Sequence, residues 1–570
     1  MLARPFVTVM WVRHGRDSDK SRQIEPQRNI KTRKKILSIN NSRKLKHSAS
    51  SLMKMALFSC PDLLFSLLVL LLSLLCLVKL RSSNMAALPR EWPLVGMFPS
   101  LVANLHRFHD YSTAFLAASG GSFVFRGPSL SGMRFFFTCD PANIRHIFVS
   151  NFTNYPKGVE FAAIFDIMGD SFFNADGESW RRQREKVQHL VSSPQLLTYM
   201  AWCCRDKVED GLLPFLSRSS HAEVPIDIQE LFTRFTFDMT ARSVFGVDPG
   251  LLSVDMPPLT VPNAMEAVMD VGFFRHTVPA SCWRFMKRVK VGPERQLAAA
   301  QLELRRFVAE MLEKRRDGPV HVDEVREERN EEIVSSYLHD PEYSDENGRP
   351  NAFLYATLIN YMFAGRDTAG MSMTWFFYNL IKHPHVVSAI RVELAPIAMH
   401  KAATSTGNNH MVIFDPEETK PLVYLQAALF ESMRLYPPGP IERKTVMADD
   451  VLPSGHRVQR GETILIALYS MGRMEGVWGE DCHEYRPERW VKEDGKLLHV
   501  PSYKFLAFNA GARSCLGKHI SVVQMKSVIA AMVWNFDFEM LTRHVVEPKP
   551  SVVLKMKNGL LAKVHKRRVE

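Results

Sequence analysis

The stretch Phe508–Gly517 reads FNAGARSCLG, with one cysteine, a cation two residues before it and a glycine on either side. A free cysteine usually behaves as a small hydrophobe and sits in an apolar run. Cys515 instead lies in a permissive loop, framed by Gly511, Arg513 and Gly517. Glycines let the backbone bend sharply or approach another group closely. The thiolate is the metal-binding form of the side chain, and neighbouring positive charge favours it. The loop therefore reads as a thiolate ligand offered to a bulky metal cofactor. Phe508 would shield the sulfur, Arg513 would pair with an acid on the cofactor, and backbone N–H groups after Cys515 would hydrogen-bond the sulfur and tune its electron donation.

Composition narrows the class. The 570 residues exceed the needs of one small core, and an apolar fraction of 46% is ordinary for a globular protein with one membrane element. The eight cysteines show no paired spacing and no C-x-x-C, which argues against a disulfide framework or zinc module and for a reducing compartment. The formal charge of +12 is not spread evenly: residues 1–54 hold 14 Lys/Arg against three acids, leaving +1 for the rest. A nucleic-acid-binding reading of the main body is therefore rejected.

Four segments follow from the pattern. Residues 1–54 are a basic, acid-poor extension, either a targeting segment or an upstream start that the cell does not use; the second is favoured. Residues 55–80 hold the uncharged run Leu63–Val78 followed by Lys79 and Arg81, a membrane anchor whose basic flank would keep the body in the cytosol if the chain starts at Met55. Residues 81–100 carry Pro89, Pro93 and Pro99 and read as a stiff linker. Residues 101–570 read as one domain. Apolar residues recur at three and four positions through Gln229–Gly246, Arg295–Arg316 and Ala352–His383, predicting long helices. Gly121–Gly127, Met133–Cys139 and Thr463–Ser470 read as short strands, and Asp317–Pro350 as a solvated acidic loop.

Two further constellations matter. Asp367-Thr368 falls inside the most apolar long helix, where an acid and an alcohol are costly unless partnered. They read either as a proton-delivery pair or as a solvent-facing acid beside a back-bonded threonine. Gly365 weakens the same helix and invites a local break in its hydrogen-bond ladder. Glu431 and Arg434 stand at i,i+3 and can meet on one helix face, with Arg489 following in YRPERW.

In this order the motifs resemble the cytochrome P-450 family over about residues 90–570. The resemblance implies a mainly α fold with a small β region, preceded by an N-terminal membrane anchor, with haem b (iron protoporphyrin IX) between the thiolate loop and the long central helix. It makes Cys515 the axial iron ligand, Asp367 and Thr368 the oxygen-activation pair, and Glu431, Arg434 and Arg489 a buried triad beneath the haem. GESWRRQR (Gly177–Arg184) matches the family's W-x-x-x-R helix, so Trp180, Arg184 and Arg513 would hold the haem propionates, with Arg443 or Lys444 adding a contact. No flavin- or nicotinamide-binding sequence is visible, so a separate NADPH-cytochrome reductase is implied as partner, with O2 as co-substrate. The implied setting is the endoplasmic reticulum membrane, with the catalytic domain in the cytosol. A cysteine thiolate in place of the more usual histidine pushes electron density onto iron and favours O–O cleavage.

Within the family, NYPKGVEF, FNADGESWRRQR, FFRHTVP and YKFLAFNAGARSCLGK resemble the plant fatty-acid and alkane hydroxylase clan, in its wax-alkane branch. Two positions depart from the clan's pattern: Ala369 lacks the hydroxyl often found after the threonine, and Ala512 stands where proline is usual. The expected activity is hydroxylation of unactivated C–H bonds of long-chain aliphatic lipids. The Phe- and Met-rich runs Val159–Phe173 and Ala264–Phe274 suit an apolar channel, although such runs are more often core. Two alternatives are a haem-thiolate isomerase or dehydratase of lipid hydroperoxides, and a haem sensor or carrier without turnover.

Overall fold

The computed structural model describes residues 88–129, 131–317, 332–404 and 411–567. The basic extension 1–54, the anchor at 55–80 and the start of the linker lie outside them. Among the described residues no helix is long and apolar enough to cross a membrane. The described part of the linker is docked rather than free: Met97 N donates to Arg126 O at 2.7 Å and Ser129 N to Leu94 O at 2.8 Å.

The architecture is mainly helical with small sheets, as expected. Its axis is helix α2, Ala352–Lys382, which packs across helix α1, Ile228–Phe245. The α2 start is set by Asn351, whose side chain accepts from the N–H groups of Phe353 and Leu354; it ends just before His383-Pro384, where proline bars continuation. At 31 residues it spans about 46 Å. The helix is unbroken at Gly365, so the expected local break does not occur. Glycine is there for close approach: a Cβ on Gly365 would lie 2.8 Å from the Thr240 side chain of α1, and one on Gly370 would lie 3.1 Å from Thr236 Oγ1. Both threonines turn their hydroxyls back onto their own helix, Thr236 to Phe232 O and Thr240 to Thr236 O, which leaves a smooth face for α2.

A four-stranded sheet forms the other wall. Its order is β1 (Ser122–Arg126), β2 (Arg134–Thr138), β4 (Thr463–Ala467), β3 (Ile441–Thr445). The β1–β2 and β3–β4 pairs are antiparallel and β2–β4 is parallel. The three runs read as strands are all present; the fourth, Ile441–Thr445, carries three consecutive charges and has no alternating apolar signature. In the register Phe125 opposes Phe135, Phe137 opposes Leu465, and Leu465 opposes Arg443. Successive strand residues point to opposite faces. Phe125, Phe135, Phe137, Leu465 and Arg443 therefore share one face, while Glu442 and Lys444 belong to the other.

The acidic stretch is not uniformly solvated. Residues 332–350 contain the helix Ser335–Leu338, and Tyr337 and Tyr343 are buried in the core. The Tyr337 hydroxyl meets that of Tyr361 on α2 at 2.8 Å. The two tyrosines anchor a segment whose overall composition is polar.

Helix α3, Val423–Leu435, carries the expected triad. Glu431 is fully buried and accepts five hydrogen bonds: Arg434 Nε and Nη2 at 2.7 Å each, Trp490 Nε1 at 2.8 Å, Arg486 N at 3.1 Å and Arg489 Nε at 3.2 Å. Arg434 also donates to the carbonyls of Gly472, Cys482 and Glu484, and Arg489 to those of Trp478 and Asp481. Charges can be buried when geometry and hydrogen bonds satisfy them this fully. Glu431→Ala strands the buried Arg434 and is expected to cost about 3–5 kcal/mol. Denaturant unfolding and the yield of folded protein measure this; a loss below about 1 kcal/mol would remove the triad from its structural role.

Candidate active site

The loop before helix α4, Lys518–Asn535, is a pair of short 3-10 turns, Leu506–Phe508 and Gly511–Arg513. Gly511 has φ +59°, and a Cβ there would sit 1.9 Å from Phe148 O, so no other residue fits. Gly517 differs: its φ is −83° and a Cβ would lie an ordinary 3.9 Å from Cys515 Sγ. Cys515 N donates to Phe508 O at 2.8 Å, closing the loop around the sulfur. Phe508 is buried against Phe430 and Phe505, with Lys518 above its ring. The Cys515 side chain itself is open, at the end of a loop otherwise held by protein. Burial of its surroundings pushes the thiol up; the Gly517 N–H, Arg184 and Lys518 pull the other way.

Beside the loop the structure gathers cations. Trp180 lies in helix Gly177–Val191, with Arg513 4.5 Å and Arg184 5.7 Å from its ring centroid. Arg184 Nη2 donates to Ser514 O at 2.8 Å; Arg513 Nη2 donates to Ala175 O at 2.7 Å and Asp176 Oδ1 at 2.5 Å. Lys444 is fully buried, 3.5 Å from Glu442 Oε1, and Lys157 is buried with its Nζ on Phe173 O at 2.9 Å. Burial pushes Lys157 down to about 7 against the pull of Glu442, and lowers Lys444 and Arg513 as well. Arg513 Nε and Lys444 Nζ are buried without a hydrogen-bond partner. Four basic side chains (Lys157, Arg184, Lys444 and Arg513) stand against two acids, Asp176 and Glu442. The cluster has room in its charge balance, and free donors, for a dianion.

Arg443 does not join this cluster. It lies on the opposite face of β3, where Nη2 donates to Thr463 Oγ1 at 3.1 Å, and it borders a cavity of ≈ 110 Å³. Eight phenylalanines line that cavity, from β1–β2 and the preceding helix residue Phe108, and from Phe161, Phe165, Phe173 and Phe273. The first group lies outside the two Phe-rich runs that the sequence singled out; sheet pairing brings them in.

On α2, Ala364, Gly365 and Thr368 are exposed between buried turns, so open space borders this stretch. Thr368 Oγ1 donates to Ala364 O at 2.7 Å. Asp367 is buried, and neither carboxylate oxygen has a hydrogen-bond partner; Arg366 Nη1 lies 3.0 Å and Lys555 Nζ 3.6 Å from its Oδ1. Of the second sequence reading, the back-bonded threonine is present, but the acid does not face solvent. Lys555 lies 3.4 Å from Glu266, which Lys549 also grips. Burial alone would raise Glu266, but the two lysines hold it down to about 2. Lys157, Asp176, Glu442 and Lys555 were not singled out from sequence. Lys157 sits in the quoted NYPKGVEF, and a lysine flanked by proline and glycine was the one available signal.

An open thiol, an exposed threonine on the central helix and a cluster of buried basic side chains are the features a haem-thiolate site would use. The chain matches the Cytochrome P450 family over residues 87–563 and belongs to it. Among similar proteins are noroxomaritidine synthase 2 of Narcissus pseudonarcissus, 38% identical across 89% of this chain and 97% of the relative, and alkane hydroxylase MAH1 of Arabidopsis thaliana, 37% identical across 84% and 93%. Cytochrome P450 86B1 of Arabidopsis thaliana is 36% identical across 92% and 93%. The protein is accordingly a monooxygenase of the oxidoreductase class with haem b as cofactor. The residues present fit that group: the free donors of Lys444 and Arg513 suit its two propionates, and Cys515 is open to its iron.

If the β3 register separates the roles, Lys444→Met will speed transfer of haem to a scavenger protein by about 10-fold, as loss of one charge-assisted hydrogen bond implies. Arg443→Met will change it less than about 2-fold. Absorbance during transfer distinguishes them, and equal rates would return both residues to the cofactor.

Proposed function

We propose that the protein hydroxylates unactivated C–H bonds of long-chain aliphatic lipids, taking electrons from NADPH through a separate cytochrome reductase at the endoplasmic reticulum membrane. The observation that carries this reading is the phenylalanine-lined cavity, which suits an extended hydrocarbon. Relatives of near-equal identity are named for an alkane hydroxylase and for a noroxomaritidine synthase, so the substrate is argued from the cavity rather than from a name.

When bound, haem supplies an iron that activates O2, and the chain's own residues set the conditions. Cys515 would ligate the iron through its thiolate, with Gly517 N–H moderating the sulfur's charge. Trp180, Arg184, Arg513 and Lys444 would hold the propionates. Thr368 would pass protons into the pocket, with Asp367 behind it; Lys555 and Arg366 keep that acid oriented in the interior. Glu431, Arg434 and Arg489 keep the segment leading to the loop in place.

Reconstitution with reductase, NADPH and a long-chain alkane or fatty acid should give a hydroxylated product that depends on all three. Turnover of a lipid hydroperoxide without reductase or NADPH, and none of the alkane or fatty acid, would favour isomerase chemistry instead. Cys515→His should abolish the red-shifted carbonyl spectrum of the reduced protein. Thr368→Ala should let NADPH consumption continue while product falls and peroxide rises; an unchanged product-to-NADPH ratio would remove Thr368 from proton delivery.

A further inference from the structure

Arg443 is the one cation among the described residues lining the phenylalanine cavity. Its strand position faces Leu465, and the same sheet face carries Phe125, Phe135 and Phe137. A guanidinium in such a wall is costly unless its donors are met. They are met in part: Nη2 reaches Thr463 Oγ1, but Nε is buried with no partner. No carboxylate pairs with it among the described residues. The acid that acts on it is Glu160, which is already paired with Arg284 at the protein surface. Glu442 also borders the cavity, but its nearest cation is Lys444 on the other face of the strand. Burial pushes Arg443 down only to about 10, so it stays charged at neutral pH. His276 borders the same space, its Nδ1 bonded to Gly272 O at 2.7 Å; burial and then Arg443 push it down to about 3, so it adds no charge.

We infer that Arg443 is a carboxylate-recognition site and that the substrate is a long-chain amphiphile with an acidic head group rather than a bare alkane. The inference rests on the aliphatic-lipid reading above and narrows it. An alkane in this cavity leaves the guanidinium charge without a counter-ion. A carboxylate beside it forms a charge-assisted hydrogen bond in a water-poor setting, where such bonds are strongest. The hydrocarbon then lies along the phenylalanines. Specificity of this kind follows from a buried polar group that the wrong ligand leaves unsatisfied.

The test uses the full-length haem-loaded protein. Palmitate, its methyl ester and hexadecane are titrated in turn, and the shift of the ferric haem spectrum reports entry of each. The native protein should bind palmitate at least about 10-fold more tightly than the ester, the discrimination expected of one charged hydrogen bond. Arg443→Ala should weaken palmitate binding by about 10- to 100-fold and bring the acid-to-ester ratio near one, while Arg443→Lys should restore part of the preference. Ester binding by each variant reports an intact cavity, so a folding defect is recognised as loss of both ligands. Arg443→Lys, which keeps the charge, then carries the comparison, and no acid preference in it overturns the inference. An acid-to-ester ratio near one in the native protein also overturns it and leaves the lipid reading standing. If none of the three ligands shifts the spectrum, the lipid reading falls and the inference falls with it. If Arg443→Ala instead sheds haem as readily as Lys444→Met, Arg443 serves the cofactor and the inference is wrong.

Discussion

The carboxylate of Glu431 is the contact on which the architecture of this site depends. Two of its five hydrogen bonds fix Arg434 on the same turn of α3, and the other three join that turn to the irregular segment that runs from Gly472 to Trp490. That segment has little regular structure, so its backbone groups need other partners. Arg434 and Arg489 supply them by donating to five of its carbonyls. Phe430, the neighbour of Glu431, then packs against Phe505 and Phe508 at the entry to the cysteine loop. A buried ion network is thus one side chain away from the presentation of the thiol.

The second organising constraint is charge without full compensation. Around Trp180 and Lys444, burial works against every cation, and two acids balance four. A polypeptide that kept this arrangement for stability alone would gain by replacing some of these cations with apolar residues. A dianionic group would complete them, and haem b, the family's cofactor, carries two carboxylates. The same logic applies to Asp367, whose oxygens lack hydrogen bonds although two cations stand close by. Polar groups left unsatisfied in a buried setting mark places where the molecule works rather than where it is held together.

The sheet contributes in a different way. Its strands come from the beginning and the far end of the domain, and their pairing turns scattered phenylalanines into one wall. The period of two along β3 sends Arg443 to that wall and Lys444 to the cationic cluster. Neighbours in sequence therefore stand on different faces of the strand, and a slip of one residue in register would exchange them.

Much of this was legible in the sequence. Cys515 declared itself because a loop of glycines and an arginine is an odd place for a structural cysteine, and the long helices declared themselves through periodicity. The i,i+3 spacing brought Glu431 to Arg434, and the W-x-x-x-R spacing put Trp180 beside Arg184. The rest depended on contacts between residues far apart in the chain. Gly365 looked like a weakness in a helix, whereas the tertiary structure uses it for close approach to Thr240. Tyr337 and Tyr343 were hidden in a stretch whose average composition is polar. Glu442 and Lys555 carry no local signature, since a lysine or glutamate looks the same in a sequence whether it is solvated or buried. The choice between Arg443 and Lys444 belonged wholly to the fold: local spacing named both, and strand register, a long-range property set by pairing with Thr463–Ala467, assigned each its face.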